Sequence, residues 1–192
     1  MISINYALIF IIATVFNLYM MVLLARLLLQ LGRANPFNPM TRFIITATKW
    51  PVGLCQRFLP TANNFDFAIL FVVIMVALIK ILLTTLIAYG IFPTNIIGLL
   101  IWSFGDITLQ LANLLFYAII IQVIASWVAS GYSPILEVVS HITAPILKPC
   151  QRVIPAIGGL DITPIIAILI LKTFEIMICW NIVNFGKALA MT

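Results

Sequence analysis

Three charged residues stand inside long apolar stretches, where charge is least expected: Lys80, Lys172 and Glu175. A charge near the centre of a membrane helix costs about 2.5–3.5 kcal/mol on insertion scales, so such side chains face protein or water and pair with one another. Two kinds of chemistry are open to them. One is an ion or proton path; the other is an ion pair that locks two half-bundles together. Lys80 lies 14 positions after Asp66, and Glu175 lies 14 after Asp161. This equivalence predicts a Lys80–Glu175 pair, with Lys172 one turn away on the same helix as Glu175. No other acidic residue is expected at the depth of Lys80.

Other reactive side chains are few. Three cysteines and one histidine would all be needed to reach the roughly four ligands of an ordinary zinc site, and no CxxC or CxxCH places any two of them together. Covalent haem attachment is excluded by the missing motif. Cys55 and Cys150 occupy symmetric positions and are expected to stay reduced on a cytoplasmic side. His141 is expected on a surface. There is no Ser-His-Asp set, no pair of catalytic carboxylates and no phosphate-cradling glycine loop. The chain is therefore expected not to be an enzyme, and to hold no metal or cofactor.

The elements that carry these residues are membrane spans. Of 192 residues 64% are hydrophobic and 8% charged, against roughly 45–50% and 25% in a soluble domain. A mean hydropathy of +1.23 does not fit a water-soluble fold of this size. Four blocks approach the ~20 residues that a bilayer requires: 4–25, 67–89, about 107–128 and about 164–183. The first is too long for a cleavable signal and lacks its positive flank, so it is expected to be retained. Residues 96–104 are apolar but short. They are expected to form an interfacial or re-entrant segment within a 90–106 connector, with a long kinked third helix as the alternative.

Charge sets the orientation. The net charge of +5 resides in dispersed residues, with no basic run or aromatic interleaving suited to nucleic acid. The first loop carries Arg33, Arg42, Lys49 and Arg57, and the third Lys148 and Arg152; the second has no Lys or Arg. By the positive-inside rule the first and third loops are cytoplasmic. Residues 135–144 place Glu137, Ser140, His141 and Ala144 on one helical face, and Ile135, Leu136, Val138, Val139 and Ile142 on the other. Residues 40–50 repeat the design less cleanly, with Arg42, Thr46 and Lys49 opposite Phe43, Ile44, Ala47 and Trp50. Both segments are expected to lie along the membrane surface.

The two basic loops are copies of each other. Cys55, Gln56, Arg57, Pro60 and Asp66 recur as Cys150, Gln151, Arg152, Pro155 and Asp161, all at an offset of 95. Because both loops face one side, the copies are parallel repeats related by an axis along the membrane normal. Residues 1–89 form the first repeat and 107–192 the second. The signature chemistry reads as structural. Asp66 and Asp161 precede spans, where a carboxylate complements a helix N-terminus. Thr163 and Pro164 form an N-cap and first-turn pair. Arg57 and Arg152 either bridge to the aspartates or hold lipid phosphates. Pro145, Pro149 and Pro155 with Gly158 and Gly159 predict a rigid turned segment.

The run from Pro145 to Pro164, with Pro149, Arg152, Pro155, Gly158, Gly159 and Asp161 in place, resembles the signature of the YggT family, called YlmG in other lineages. The resemblance spans the whole chain, duplication included. The first copy departs from the pattern: it lacks the second proline of the P-x-x-x-P turn, and Asn63 and Asn64 replace the glycines. The resemblance implies a small multi-pass inner-membrane protein linked to osmotic-stress tolerance, cell division or membrane organisation. A plastid relative assists haem attachment to a cytochrome.

The fold expected is thus an all-α membrane protein of about four transmembrane helices in two tandem parallel repeats, each with an amphipathic interfacial segment. Its function is expected to be that of an accessory or scaffold factor. Its partners would be anionic lipid headgroups at the basic loops and other membrane proteins or a second copy. The competing reading is a small channel or transporter with a polar path at Lys80, Lys172 and Glu175. Reporter fusions at Gly90 and Pro155 are expected to report opposite sides of the membrane; one shared compartment would overturn the topology.

Overall fold

A computed structural model describes residues 2–59, 61–62, 65–128, 133–153 and 162–192. Its elements are helices α1 (Ile2–Leu31) and α2 (Pro39–Cys55), a two-residue hairpin of β1 (Thr61–Ala62) and β2 (Phe65–Asp66), and helices α3 (Phe67–Tyr89), α4 (Ile96–Val128), α5 (Pro134–Val153), α6 (Thr163–Phe174) and α7 (Trp180–Ala190). A π-helical turn, Glu175–Cys179, joins α6 to α7 without a break. Four rods are long and apolar enough to cross a membrane: Ile4–Leu31, Phe67–Tyr89, Ile96–Ser126 and Thr163–Ala190. At 1.5 Å per residue, a 28-residue rod is about 42 Å long. That exceeds the ~30 Å hydrocarbon layer, so rod ends reach the headgroup level.

Local chemistry fixes several boundaries. Asn38 caps α2, its Oδ1 accepting from the Met40 N–H at 2.8 Å, with Pro39 in the first turn where a missing N–H costs nothing. Asp66 caps α3 by accepting from the Ala68 N–H at 3.0 Å. Gly90 ends α3 at φ 71°, a left-handed conformation open to glycine at no steric cost. For α6 the helix begins at Thr163 itself, so the cap position falls to Ile162, which has no side chain to offer.

Two expectations are corrected here. Residues 96–106 are not an interfacial connector. They are the first third of α4, a single 33-residue helix. Asn95 starts it, its Oδ1 accepting from the Ile97 and Gly98 N–H groups at 3.0 and 3.2 Å. Nor do Pro145 and Pro149 turn the chain, since both lie inside α5. A helical proline costs about 3 kcal/mol. Burial of Val138, Val139, Ile142 and Leu147 on one face of α5 offsets it, at about 1.5–3 kcal/mol per side chain.

That apolar face also corrects the placement of α5. It packs against α1, α4 and α6 in a cluster with Ala25, Leu29, Ile119 and Leu171, so its contacts are protein rather than acyl chains. A second cluster joins Met20, Leu23 and Leu24 of α1 to Val52 of α2 and Ile69, Val72 and Val73 of α3. Leu111 and Leu114 of α4 pack against both. Helix α2 behaves differently from α5. Met40, Phe43, Ala47, Trp50 and Leu54 recur at helical spacing and are all exposed, Trp50 by 78%. That stripe is an unburied apolar face with Arg42, Thr46 and Lys49 beside it.

Helices α4 and α7 approach each other closely at two glycines. A Cβ on Gly98 would sit 2.3 Å from the Ala190 backbone nitrogen, and one on Gly186 would sit 2.4 Å from that of Trp102. Apolar side chains gain nothing from leaving lipid, so membrane helices associate where small residues let backbones approach. The contact is sealed by the Thr94 N–H, which donates to the Ala190 carbonyl at 3.0 Å. Gly186→Val is expected to lower the melting temperature in detergent by at least about 5 °C. Gly53→Ala, in α2 with nothing within 4 Å of its added methyl, should leave it unchanged or raise it by about 2–4 °C. Equal effects from the two would refute the close-contact account.

Candidate functional site

Four charged residues deep in the spans fall into two sets. In the first, Lys80 of α3 is buried and donates its Nζ to Asp106 of α4 and to Asn17 Oδ1 of α1 at 2.8 Å. Lys80 is nine residues from the end of α3, and Asp106 ten from the start of α4. Two antiparallel helices joined by a short loop therefore hold the pair at one depth. Gln110, one turn beyond Asp106, is buried with no hydrogen-bond partner for its Oε1 among the described residues.

The second set lies within one rod. Lys172 donates to Glu175 at 2.6 Å, three residues on. The π turn begins at Glu175; such turns insert one residue into a helix and recur at functional sites. The Lys172 Nζ also lies 4.2 Å from the centre of the Phe116 ring, a cation–π distance. The expected Lys80–Glu175 pair is thus corrected: each residue has a different ion-pair partner. The error has a clear source. Asp106 was assigned to a connector, which removed the one carboxylate that shares the depth of Lys80.

Within the repeat signature, the described bonds differ from the expected arginine–aspartate bridges. Asp66 caps α3 and takes its second hydrogen bond from Gln56 Nε2 at 2.5 Å, not from Arg57. Arg57 and Arg152 are exposed, and neither forms an ion pair among the described residues. Pro164 sits in the first turn of α6. Pro60, Pro155, Gly158, Gly159 and Asp161 lie outside the described residues. Cys55 and Cys150 are free thiols packed against different clusters. His141 is half-buried beside Gly32.

One symmetric bond escaped the sequence. Arg26 Nη1 donates to Thr48 Oγ1 at 2.8 Å, joining α1 to α2. In the second copy Thr143 Oγ1 donates to Gln122 Oε1 at 2.5 Å, joining α5 to α4. Both threonines are fully buried and also bond back to the carbonyl four residues earlier. The signal in the sequence is the recurrence of Thr48 as Thr143, 95 positions on, which the division into polar and apolar faces leaves out.

Four rods long and apolar enough to span a membrane, two homologous loop segments and paired charges within the rods define a polytopic helical membrane protein built by duplication. A family model described as CCB3/YggT matches residues 5–87 and again 101–182. The chain belongs to the CCB3/YggT family. It is 39% identical over 184 residues to an uncharacterised protein of Pseudomonas aeruginosa, covering 95% of this chain and 93% of that one. A Vibrio alginolyticus protein is 35% identical over 157 residues, 82% and 85% of the two chains. The uncharacterised protein YggT of Escherichia coli is 33% identical over 164 residues, 84% of each. No solved structure matches.

Removing one partner of a buried ion pair leaves the other unpaired, a loss of about 3–5 kcal/mol, whereas replacing both by apolar groups is often neutral. Lys80→Met alone is therefore expected to destabilise the protein, and Lys80→Met with Asp106→Leu to recover most of the loss. A double-mutant cycle on thermal stability in nanodiscs measures this. Strictly additive effects would show that the pair carries no coupling.

Proposed function

We propose that this protein is a non-catalytic accessory or scaffold factor of the bacterial cytoplasmic membrane, acting in membrane organisation, cell division or osmotic-stress tolerance. The observation that carries the reading is the local closure of intramembrane charge. Lys80 is met by Asp106 and Asn17, and Lys172 by Glu175 one turn away. Such pairs hold a bundle together and need no mobile ion to balance them. The exposed stripe of Met40, Phe43, Trp50 and Leu54 beside basic residues supports a loop resting on an anionic membrane surface, where each Lys or Arg contributes about 1 kcal/mol. The same basic residues support a cytoplasmic placement of the two loops.

A transport reading has one observation in its favour. Asn17, Lys80, Asp106 and the unpartnered Gln110 oxygen gather several polar groups at one depth. Flux assays on the purified protein in liposomes separate the two. Under imposed proton, sodium or potassium gradients the scaffold reading expects no flux above empty vesicles. A flux that is present in the wild type and lost in the Lys80→Met, Asp106→Leu double variant would replace the scaffold with a transporter.

A further inference from the structure

A cavity of about 430 Å³ lies between the end of α1, the first turn of α2 and the turn into α3. Its polar lining is Arg26, Gln30, Arg33, Thr41, Gln56 and Asp66. Thr41 is 4% exposed, and its hydroxyl has no hydrogen-bond partner among the described residues. A buried, unpartnered hydroxyl in a native structure calls for a missing ligand or water. Thr41 also sits in the first turn of α2, where backbone N–H groups and the helix dipole favour an anion.

Arg26 carries more than the fold asks of it. Its Nη1 serves Thr48 at 2.8 Å and the Ile45 carbonyl at 3.5 Å. A guanidinium has five donors, and Nε and Nη2 make no hydrogen bond among the described residues. In the second copy the uncharged Gln122 makes the matching threonine bond, so the charge is surplus to that contact. Arg33 lines the same space with its backbone at φ 49°, a left-handed conformation that disfavours a side chain. Asp66 is the one acid present. Both its oxygens are engaged, by the Ala68 N–H and by Gln56, and it forms no ion pair with Arg26. Two guanidiniums against one carboxylate leave the cavity net positive.

We propose that this cavity binds a phosphate group, held by Arg26 and Arg33 with Thr41 donating its hydroxyl. Arg26 and Arg33 flank the end of a 28-residue rod that outruns the hydrocarbon layer, which puts the cavity at the headgroup level, so the natural source is an anionic phospholipid. The inference rests on the reading that the basic loops lie at the membrane surface, and it assigns one defined site within that surface.

The test is the thermal stability of the full-length protein in neutral detergent, titrated with phosphatidylglycerol, phosphatidylcholine, diacylglycerol or inorganic phosphate. Phosphatidylglycerol is expected to raise the melting temperature saturably, and diacylglycerol to have no effect. Arg26→Gln copies the residue of the second repeat and can keep the Thr48 bond. It is expected to weaken the phosphatidylglycerol response at least tenfold. Thr41→Val should weaken it several-fold while leaving the lipid-free protein as stable or more so. Arg42→Gln, which removes the same charge from the same loop outside the cavity, should change it less than twofold. Saturable stabilisation by inorganic phosphate that is lost in Arg26→Gln would keep the site and assign it to a soluble phosphate. Equal weakening by Arg26→Gln and Arg42→Gln would overturn the cavity and leave diffuse attraction to the surface. A response to phosphatidylglycerol no greater than to phosphatidylcholine would overturn the surface reading as well.

Discussion

An ammonium group in the middle of an apolar bundle has to be met by a counter-charge that is already in position. Lys80 imposes this on the architecture. It requires a carboxylate at its own depth on a neighbouring helix, and Asp106 supplies it only if residues 96–106 are helical and antiparallel to α3. The pair thereby fixes the register between the last span of the first repeat and the first span of the second. Asn17 adds a third helix to the same point. With α1, α3 and α4 pinned together, Leu111 and Leu114 of α4 can pack against both apolar clusters at once.

The two copies meet the same demand by different means. In the first, the intramembrane cation is satisfied across helices. In the second, Glu175 sits at the position equivalent to Lys80 and is satisfied from its own helix by Lys172, with a π turn beginning at the acid. The loop helices diverge in the same way. Helix α5 turns its apolar face into the protein, while α2 keeps Phe43 and Trp50 outside. The threonine clamps are retained in both, but Thr48 accepts from a charged guanidinium in the first copy, whereas Thr143 donates to an uncharged amide oxygen in the second. Duplication preserved the frame and freed the polar residues to specialise.

Much of the frame was legible in the residues. Asp66 as a cap, Gly90 as a stop and the duplicated loop follow from local chemistry that tertiary structure has no reason to override. What was not legible involved competition between terms. Asp106 looked like a loop residue because a lone carboxylate is costly in a span, and the compensation comes from a lysine 26 positions earlier. Pro145 and Pro149 looked like a turn because each breaks a helical hydrogen bond, and the compensation is an apolar face buried elsewhere. The basic cavity is not legible because the apolar block 4–25 stops just before Arg26, whereas α1 continues to Leu31 and carries Arg26 on its last turns. In each case the cost was written locally and the gain lay at a distance along the chain.

The order in which a ribosome delivers the helices gives the Lys80 contacts a direction in time. Asn17 precedes Lys80 by 63 residues, and Asp106 follows it by 26. When α3 enters the membrane, its ammonium can be received at once by a neutral amide on a helix already inserted. It gains its full counter-charge only when α4 arrives. Of the two partners, Asn17 is the one that already stands in the chain when Lys80 is made. The first repeat can dock before the second exists, and the Gly98–Gly186 seam between α4 and α7 can close only after the final helix has left the translocon.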